Sequence, residues 1–174
     1  MHSTRQKAAV KTGLVFMSIL SLLCAISVAA AAEIAQYKVR AEFDVKVPMR
    51  DGTLLSADIY RPDASGQFPV LLERTPYGNY DPDGGYSWAR RGYVMVLMDV
   101  RGKCDSDGRF IPFVNEIEDG YDSQQWCGVQ PWSNGKVGTL GGSYVGLTQW
   151  FPARLANEHL ARWRGASVGC DAAE

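Results

Sequence analysis

Lys136-Val-Gly-Thr-Leu-Gly-Gly-Ser-Tyr-Val-Gly-Leu-Thr-Gln-Trp150 begins as a short apolar run, stops at a glycine pair, presents one serine and resumes with residues suited to a helix. The order reads as strand, tight turn and helix, with Ser143 at the apex. Glycine tolerates the backbone angles that so sharp a turn demands. A turn from a parallel-sheet strand into a helix holds a serine hydroxyl clear of the sheet at a helix N-terminus, ready to attack a carbonyl. Most of the upstream sequence leads the chain to this turn, and only 31 residues follow Ser143.

Far upstream, Tyr37-Lys-Val-Arg-Ala-Glu-Phe-Asp-Val-Lys-Val-Pro48 places apolar residues at the alternate positions Phe43, Val45 and Val47, the pattern of a half-buried strand. Asp51-Gly52 supplies a turn, and Thr53-Leu-Leu-Ser-Ala-Asp-Ile-Tyr60 resumes strand character until Arg61-Pro62 ends it. The pair predicts a hairpin, an antiparallel edge that starts the sheet. Pro69-Val-Leu-Leu-Glu-Arg-Thr75 is a short apolar run of the kind buried on both faces, which predicts a central strand. It leads into the turn-rich Pro76-Tyr-Gly-Asn-Tyr80, where the carboxyl end of such a strand would gather ligand-binding loops. Tyr77 is a site candidate on one reading and a packing tyrosine on the other.

Ser87-Trp-Ala-Arg-Arg91 predicts a brief helix stopped by Gly92, and Tyr93-Val-Met-Val-Leu-Met-Asp-Val100 a buried strand. Asp99 and Arg101 sit where an ion pair between them would brace the following loop, a role favoured over catalysis. In Glu116-Ile-Glu-Asp-Gly-Tyr-Asp-Ser-Gln-Gln-Trp126, the residues Ile117, Tyr121 and Trp126 form a rough stripe, which predicts an amphipathic helix over the sheet with Gly120 as a local cost. Glu116, Glu118 and Asp119 read as a solvated first turn, where acids favour the helix dipole, rather than as a metal site or a working carboxylate pair. Pro131-Trp-Ser-Asn-Gly135 turns into a strand over Lys136–Leu140, a helix follows from Tyr144 to about Leu155, and Trp163-Arg-Gly-Ala-Ser-Val168 starts another strand. Strands alternating with helices after an opening hairpin imply an α/β fold with a mainly parallel sheet.

Composition is that of an ordinary globular protein: 174 residues, 46% of them hydrophobic, with a formal net charge of -1. Near-balanced charge without long runs of one sign argues against a nucleic-acid partner or an acidic lipid surface. The first residues differ in character. Arg5, Lys7 and Lys11 precede an apolar run from Leu14 to Val28, and Ala29 to Ala32 supply small residues before Glu33. This is the order of a secretory signal peptide, which gives a leader at 1–32, a mature portion at 33–174, a secreted or periplasmic location and no stable membrane association after cleavage. An uncleaved anchor is the rival reading, and the Ala-rich end favours cleavage. Beyond the leader stand Cys104, Cys127 and Cys170, whose spacing matches no metal pattern; a Cys104 to Cys127 bridge is one expectation and free or buried thiols the other.

A serine hydroxyl needs a general base to take its proton and a pocket to receive charge on the attacked carbonyl oxygen. The chain supplies the nucleophile and much of the pocket. Gly141 and Gly142 permit the strained elbow, the Tyr144 backbone N–H lies at the new helix N-terminus, and the Tyr77 phenol offers a second hydrogen bond. Of the two histidines, His2 lies in the leader and His159 follows the elbow helix. At about 1.5 Å per residue, His159 falls roughly 20 Å from Ser143 and is not its base.

Several motifs together carry a resemblance. Val47-Pro-Met-Arg-Asp-Gly-Thr-Leu-Leu-Ser-Ala-Asp-Ile-Tyr-Arg-Pro62, Arg74-Thr-Pro-Tyr77, Asp99-Val-Arg-Gly102 with Ser106 and Gly108, Pro131-Trp-Ser-Asn-Gly-Lys-Val-Gly138 and Gly141-Gly-Ser-Tyr-Val-Gly146 occur in the order of one family. From about Phe43 onward the chain closely resembles the X-prolyl dipeptidyl-peptidase-like serine hydrolases, the cocaine esterase and α-amino acid ester hydrolase type of acyl hydrolase. General α/β-hydrolase elbows carry glycine two residues after the serine, where this chain has Val145; the family's own form, with Gly146 one place later, fits.

The resemblance implies the α/β-hydrolase fold, with Ser143 as the nucleophile of an acyl-enzyme. It implies an oxyanion hole formed by the Tyr144 N–H and the Tyr77 hydroxyl, with Trp150 as a packing residue on the elbow helix. It implies a small-molecule ester or peptide substrate, no cofactor and no metal. Family members continue with the rest of the sheet, a helical cap, the acid and histidine of the triad, and a β-rich domain; Asp171 comes too early to be that acid. The expectation is therefore an incomplete N-terminal portion of such a hydrolase, inactive or nearly so alone. The alternative is a secreted binding module without enzymatic activity that retains half of the fold.

Overall fold

Residues 36–166 are described by a computed structural model of the chain, with side chains as far as Arg162. The expected leader at 1–32, Ser167 and Val168 of the last expected strand, Cys170 and Asp171 lie outside the described residues. The elements are β1 (Val39–Pro48), β2 (Leu54–Pro62), β3 (Phe68–Thr75), α1 (Pro82–Arg90), β4 (Val94–Asp99), α2 (Glu116–Gly128), β5 (Ser133–Gly142), α3 (Tyr144–Ala153) and β6 (Leu160–Ala166). The six strands form one mixed sheet in the order β1-β2-β4-β3-β5-β6.

The opening hairpin forms as the Asp-Gly turn dictates. Gly52 takes φ +84°, the Met49 N–H donates to the Thr53 carbonyl at 2.8 Å, and β1 pairs antiparallel with β2. The alternation expected of β1 holds only in part, because a bulge interrupts the register between Glu42 and Val45 and Asp44 takes φ +50°. Val47 is fully buried, whereas Phe43 stays 60% exposed. Beyond β2 the sheet turns parallel, with β3 bonded to β4 on one side and to β5 on the other, and β6 running parallel to β5. All six residues of β4 are buried, as a strand covered on both faces must be.

One face of the sheet buries Val47, Leu55, Ile59, Val70, Leu72, Val96, Met98 and Val137 beneath α2, which contributes Cys127 and the half-buried Trp126. The other face buries Tyr60, Met95 and Leu97 beneath Ala89 and Trp88 of α1. That helix is longer than the brief one expected. Asp81 caps it by accepting from the Gly84 N–H at 3.1 Å, and Pro82 stands at its first position, a start signal of high specificity. Gly85 is required inside it, since a Cβ there would lie 2.4 Å from the Tyr60 ring.

Four expectations need correction. Of the stripe Ile117, Tyr121 and Trp126, Trp126 packs against the core, but none is fully buried; the buried residues of α2 are Glu116, Asp119, Gly120, Ser123, Gln124, Cys127 and Gly128. Glu116 and Asp119 are accordingly not solvated, with 4% and 2% exposure, because Arg74 and Arg101 meet them. Gly120 is no mere cost, since a Cβ would collide with Pro152 of α3 at 2.6 Å, so its absence lets α2 and α3 approach. Arg101 braces its loop by pairing with Asp51 and Asp119 rather than with Asp99. As for the cysteines, Cys104 is exposed and Cys127 buried, and both are free thiols.

Candidate active site around Ser143

The elbow has the geometry that its sequence asks for. Ser143 lies between β5 and α3 with φ +55° and ψ -127°, a conformation costly for a residue with a side chain. Gly141 takes φ +132°, and a Cβ there would fall 2.1 Å from Val145 Cγ1, so only glycine fits. The amide of Gln149 clamps the turn from inside, donating to the carbonyls of Gly141 and Val145 at 3.1 Å each. The Ser143 carbonyl accepts from the N–H groups of Gly146 and Leu147 at 3.0 and 3.2 Å, which starts the helix. The Tyr144 N–H thus belongs to the first-turn donors that the helix itself does not use.

Tyr77 follows the end of β3, the neighbouring strand. The last registered pair of β3 and β5 is Leu72↔Thr139, so that continuing the register brings Thr75 level with Gly142. Tyr77 and Ser143 therefore leave the sheet from adjacent strand ends on the same side. The Tyr77 N–H donates to Thr75 Oγ1 at 3.1 Å, and among the described residues Tyr77 is 72% exposed.

The Tyr144 ring turns into the protein. It stacks on Phe113 with centroids 4.9 Å apart and lies 6.1 Å from Phe110. Its hydroxyl donates to Glu116 Oε1 at 3.0 Å and accepts from the Phe113 N–H at 3.2 Å. Burial is the main reason that its phenol is pushed up to about 12, with the neighbouring Glu116 carboxylate adding to the effect. Glu116 in turn faces Arg74, whose Nη2 stands 3.0 Å from Oε2. Sequence reading missed this set of contacts. The available signal was Arg74 itself, because a charged residue inside an apolar central strand requires a partner.

His159 sits elsewhere. Its Nδ1 lies 3.0 Å from the Gly135 carbonyl and its Nε2 3.4 Å from the Gln125 side-chain amide, so Nδ1 donates and Nε2 accepts. The ring lies against Gly128, where a Cβ would reach within 2.1 Å of it. Gly135 is near the start of β5 and Ser143 just past its end, so at about 3.3 Å per residue the two are more than roughly 20 Å apart along the strand. Asp99, at the carboxyl end of β4 beside Thr75, is fully buried, and that burial raises its carboxyl above the usual range. Among the described residues, no group of three His, Cys, Asp or Glu side chains could hold a metal ion, and no helix is long and apolar enough to cross a membrane.

A strand-to-helix elbow with its serine in the left-handed region, on a sheet of this order, coincides with the match of residues 51–171 to the model of the X-Pro dipeptidyl-peptidase (S15) family. The chain belongs to this family. Over 117 residues it is 44% identical to the cocaine esterase of Rhodococcus sp. (strain MB1 Bresler), covering 62% of this chain and 20% of that protein. Among solved structures it resembles a CocE/NonD family hydrolase from Staphylococcus aureus, with a TM-score of 0.66 at 32% identity, covering 72% of this chain and 27% of that one. An α-amino acid ester hydrolase superposes with a TM-score of 0.60 at 30% identity, over 78% of this chain and 26% of the other. The fold is thus an incomplete α/β-hydrolase fold, and the chain spans about a fifth of the curated relative.

Proposed function

We propose that this chain carries the nucleophile and oxyanion half of a serine hydrolase of acyl esters or peptide amides that works through an acyl-enzyme. The observation that carries the reading is Ser143 itself, held at φ +55° between a parallel strand and a helix, with glycine enforced at Gly141. In the reaction, Ser143 Oγ bonds to the substrate carbonyl carbon while its proton passes to a general base. The carbonyl π electrons move onto oxygen, where the Tyr144 N–H and the Tyr77 hydroxyl donate to the developing charge. Collapse of the tetrahedral species breaks the bond to the alcohol or amine, which leaves with a proton, and water then hydrolyses the ester on Ser143. The names of two relatives, cocaine esterase and α-amino acid ester hydrolase, support esters as the substrate class.

The general base is not His159, which is engaged at the opposite end of β5. Turnover by these 174 residues alone is therefore expected to be weak or absent. The order of basic, apolar and small residues before Glu33 supports export to the periplasm or beyond the cell.

The test is covalent. A fluorophosphonate forms a bond from Ser143 Oγ to phosphorus, expels fluoride and releases the serine proton to solvent. Peptide mass mapping should find the adduct on Ser143 and none in Ser143→Ala. An adduct that forms equally in Ser143→Ala, or none in the unmodified chain, would overturn the assignment.

A further inference from the structure

Only 3% and 5% of the side-chain surfaces of Arg74 and Glu116 is exposed, with Nη2 and Oε2 3.0 Å apart. Arg74 Nη1 also donates to the Glu116 carbonyl at 3.3 Å, so that the start of α2 is held against β3 twice. The remaining oxygen of Glu116 accepts from the Tyr144 hydroxyl at 3.0 Å. From the other side, Thr148 Oγ1 on α3 lies 3.0 Å from the backbone carbonyl of Arg74 and 2.8 Å from that of Val145, and its single proton is shared between the two acceptors. The first turns of α3 are thereby tied to one residue of β3 by two routes, one direct and one through Glu116.

A buried ion pair is a poor source of stability, since its desolvation penalty can exceed its Coulombic gain and apolar residues of similar volume often serve as well. The position of this pair suggests what else it does. Tyr144 directly follows Ser143, and Arg74 stands three residues before Tyr77. The same Tyr144 hydroxyl accepts from the N–H of Phe113, a residue held at φ +67°, so the loop in front of α2 is set by the same contact.

We infer that Arg74 and Glu116 are positioning residues that fix the separation of the Tyr144 N–H and the Tyr77 hydroxyl, the two donors of the oxyanion hole. This rests on the reading of Ser143 as a nucleophile. A tether of this kind matters because displacing a catalytic group by about 1 Å can cost on the order of 100-fold in rate. In this role the pair acts through the tyrosines.

The experiment uses the whole 174-residue chain. Fluorophosphonate labelling of Ser143 is timed in the unmodified chain, in Tyr144→Phe, which cuts the tether and keeps the ion pair, and in the double variant Arg74→Met/Glu116→Gln, which leaves no unpaired buried charge. Both should label about 100-fold more slowly while melting near the parent temperature. The control Arg50→Met, which removes an exposed contact of the same helix with Asp122, should label at the parent rate. A second readout needs no reactivity: in spectra of the protein carrying nitrogen-15 tyrosine, Glu116→Gln should shift the amide signals of both Tyr144 and Tyr77. Folded variants that label within twofold of the parent, or a Tyr77 signal indifferent to Glu116→Gln, would overturn the inference. If the parent itself does not label, the nucleophile reading falls, and the tether is judged on the Tyr77 signal alone.

Discussion

His159 Nδ1 donates to the carbonyl of Gly135 across 3.0 Å, at the end of β5 opposite Ser143. The one histidine among the described residues thus closes a structural contact between the start of β5 and the turn before β6, and Gly128 leaves room for its ring. Replacing it should therefore disturb folding without touching the elbow. His159→Ala is expected to lose about 1–3 kcal/mol, the range for a buried group left unsatisfied, in urea unfolding. Its phosphonate labelling at Ser143 should stay within twofold of the parent.

Gly141→Ala addresses the elbow directly. The alanine would have to hold φ +132° and place its Cβ 2.1 Å from Val145 Cγ1. Strain and overpacking together are worth on the order of 3 kcal/mol. The expected result is that loss in equilibrium unfolding together with loss of Ser143 labelling, because relief of the clash must move α3 relative to β5.

Arg101 joins three segments, pairing with Asp51 after β1 and with the buried Asp119 of α2. Arg101→Met would leave Asp119, 2% exposed, without this cation. Breaking a buried pair from one side costs about 3–5 kcal/mol, and denaturation should register a loss of that size. Removing the guanidinium of Arg40, whose side chain is 60% exposed in its contact with Glu42, should change stability by less than about 1 kcal/mol.

Tyr144 predicts an alkaline transition. Burial raises its phenol to about 12 in the folded protein, from its ordinary value of 10.0. A raised value means that the group's contribution to stability is complete below pH 10 and is lost as pH rises through about 12. Tyr60 is also raised to about 12 by burial, so ultraviolet titration should show two late tyrosines. Tyr144→Phe should show one, and should lose less stability than the parent across that interval. An unchanged late transition in the variant would mean that Tyr144 titrates with the exposed tyrosines.

Much of the sheet was legible because its signals are local. The Asp-Gly turn, the uniformly apolar β4 and the glycine pair before Ser143 each act within a few residues, so the hairpin, the buried strand and the elbow follow from them. The helices were read less well. Periodicity pointed to Ile117, Tyr121 and Trp126, yet α2 buries Glu116 and Asp119, because Arg74 and Arg101, distant in sequence, meet those carboxylates. No pattern inside the helix names Arg74, 42 positions away, or Arg101.

By itself, then, the sequence determined that one serine stands at a strand-to-helix turn and that Gly141 must remain glycine, since the backbone angles of an elbow are dictated by the residues within it. It also determined that His159 is too far along the chain to serve that serine. Tertiary structure alone decided where the charges go. Ion pairs such as Arg74 with Glu116 and Arg101 with Asp119 form only when sheet and helix have already met, because a charge is buried only where the fold delivers its partner within a few ångströms.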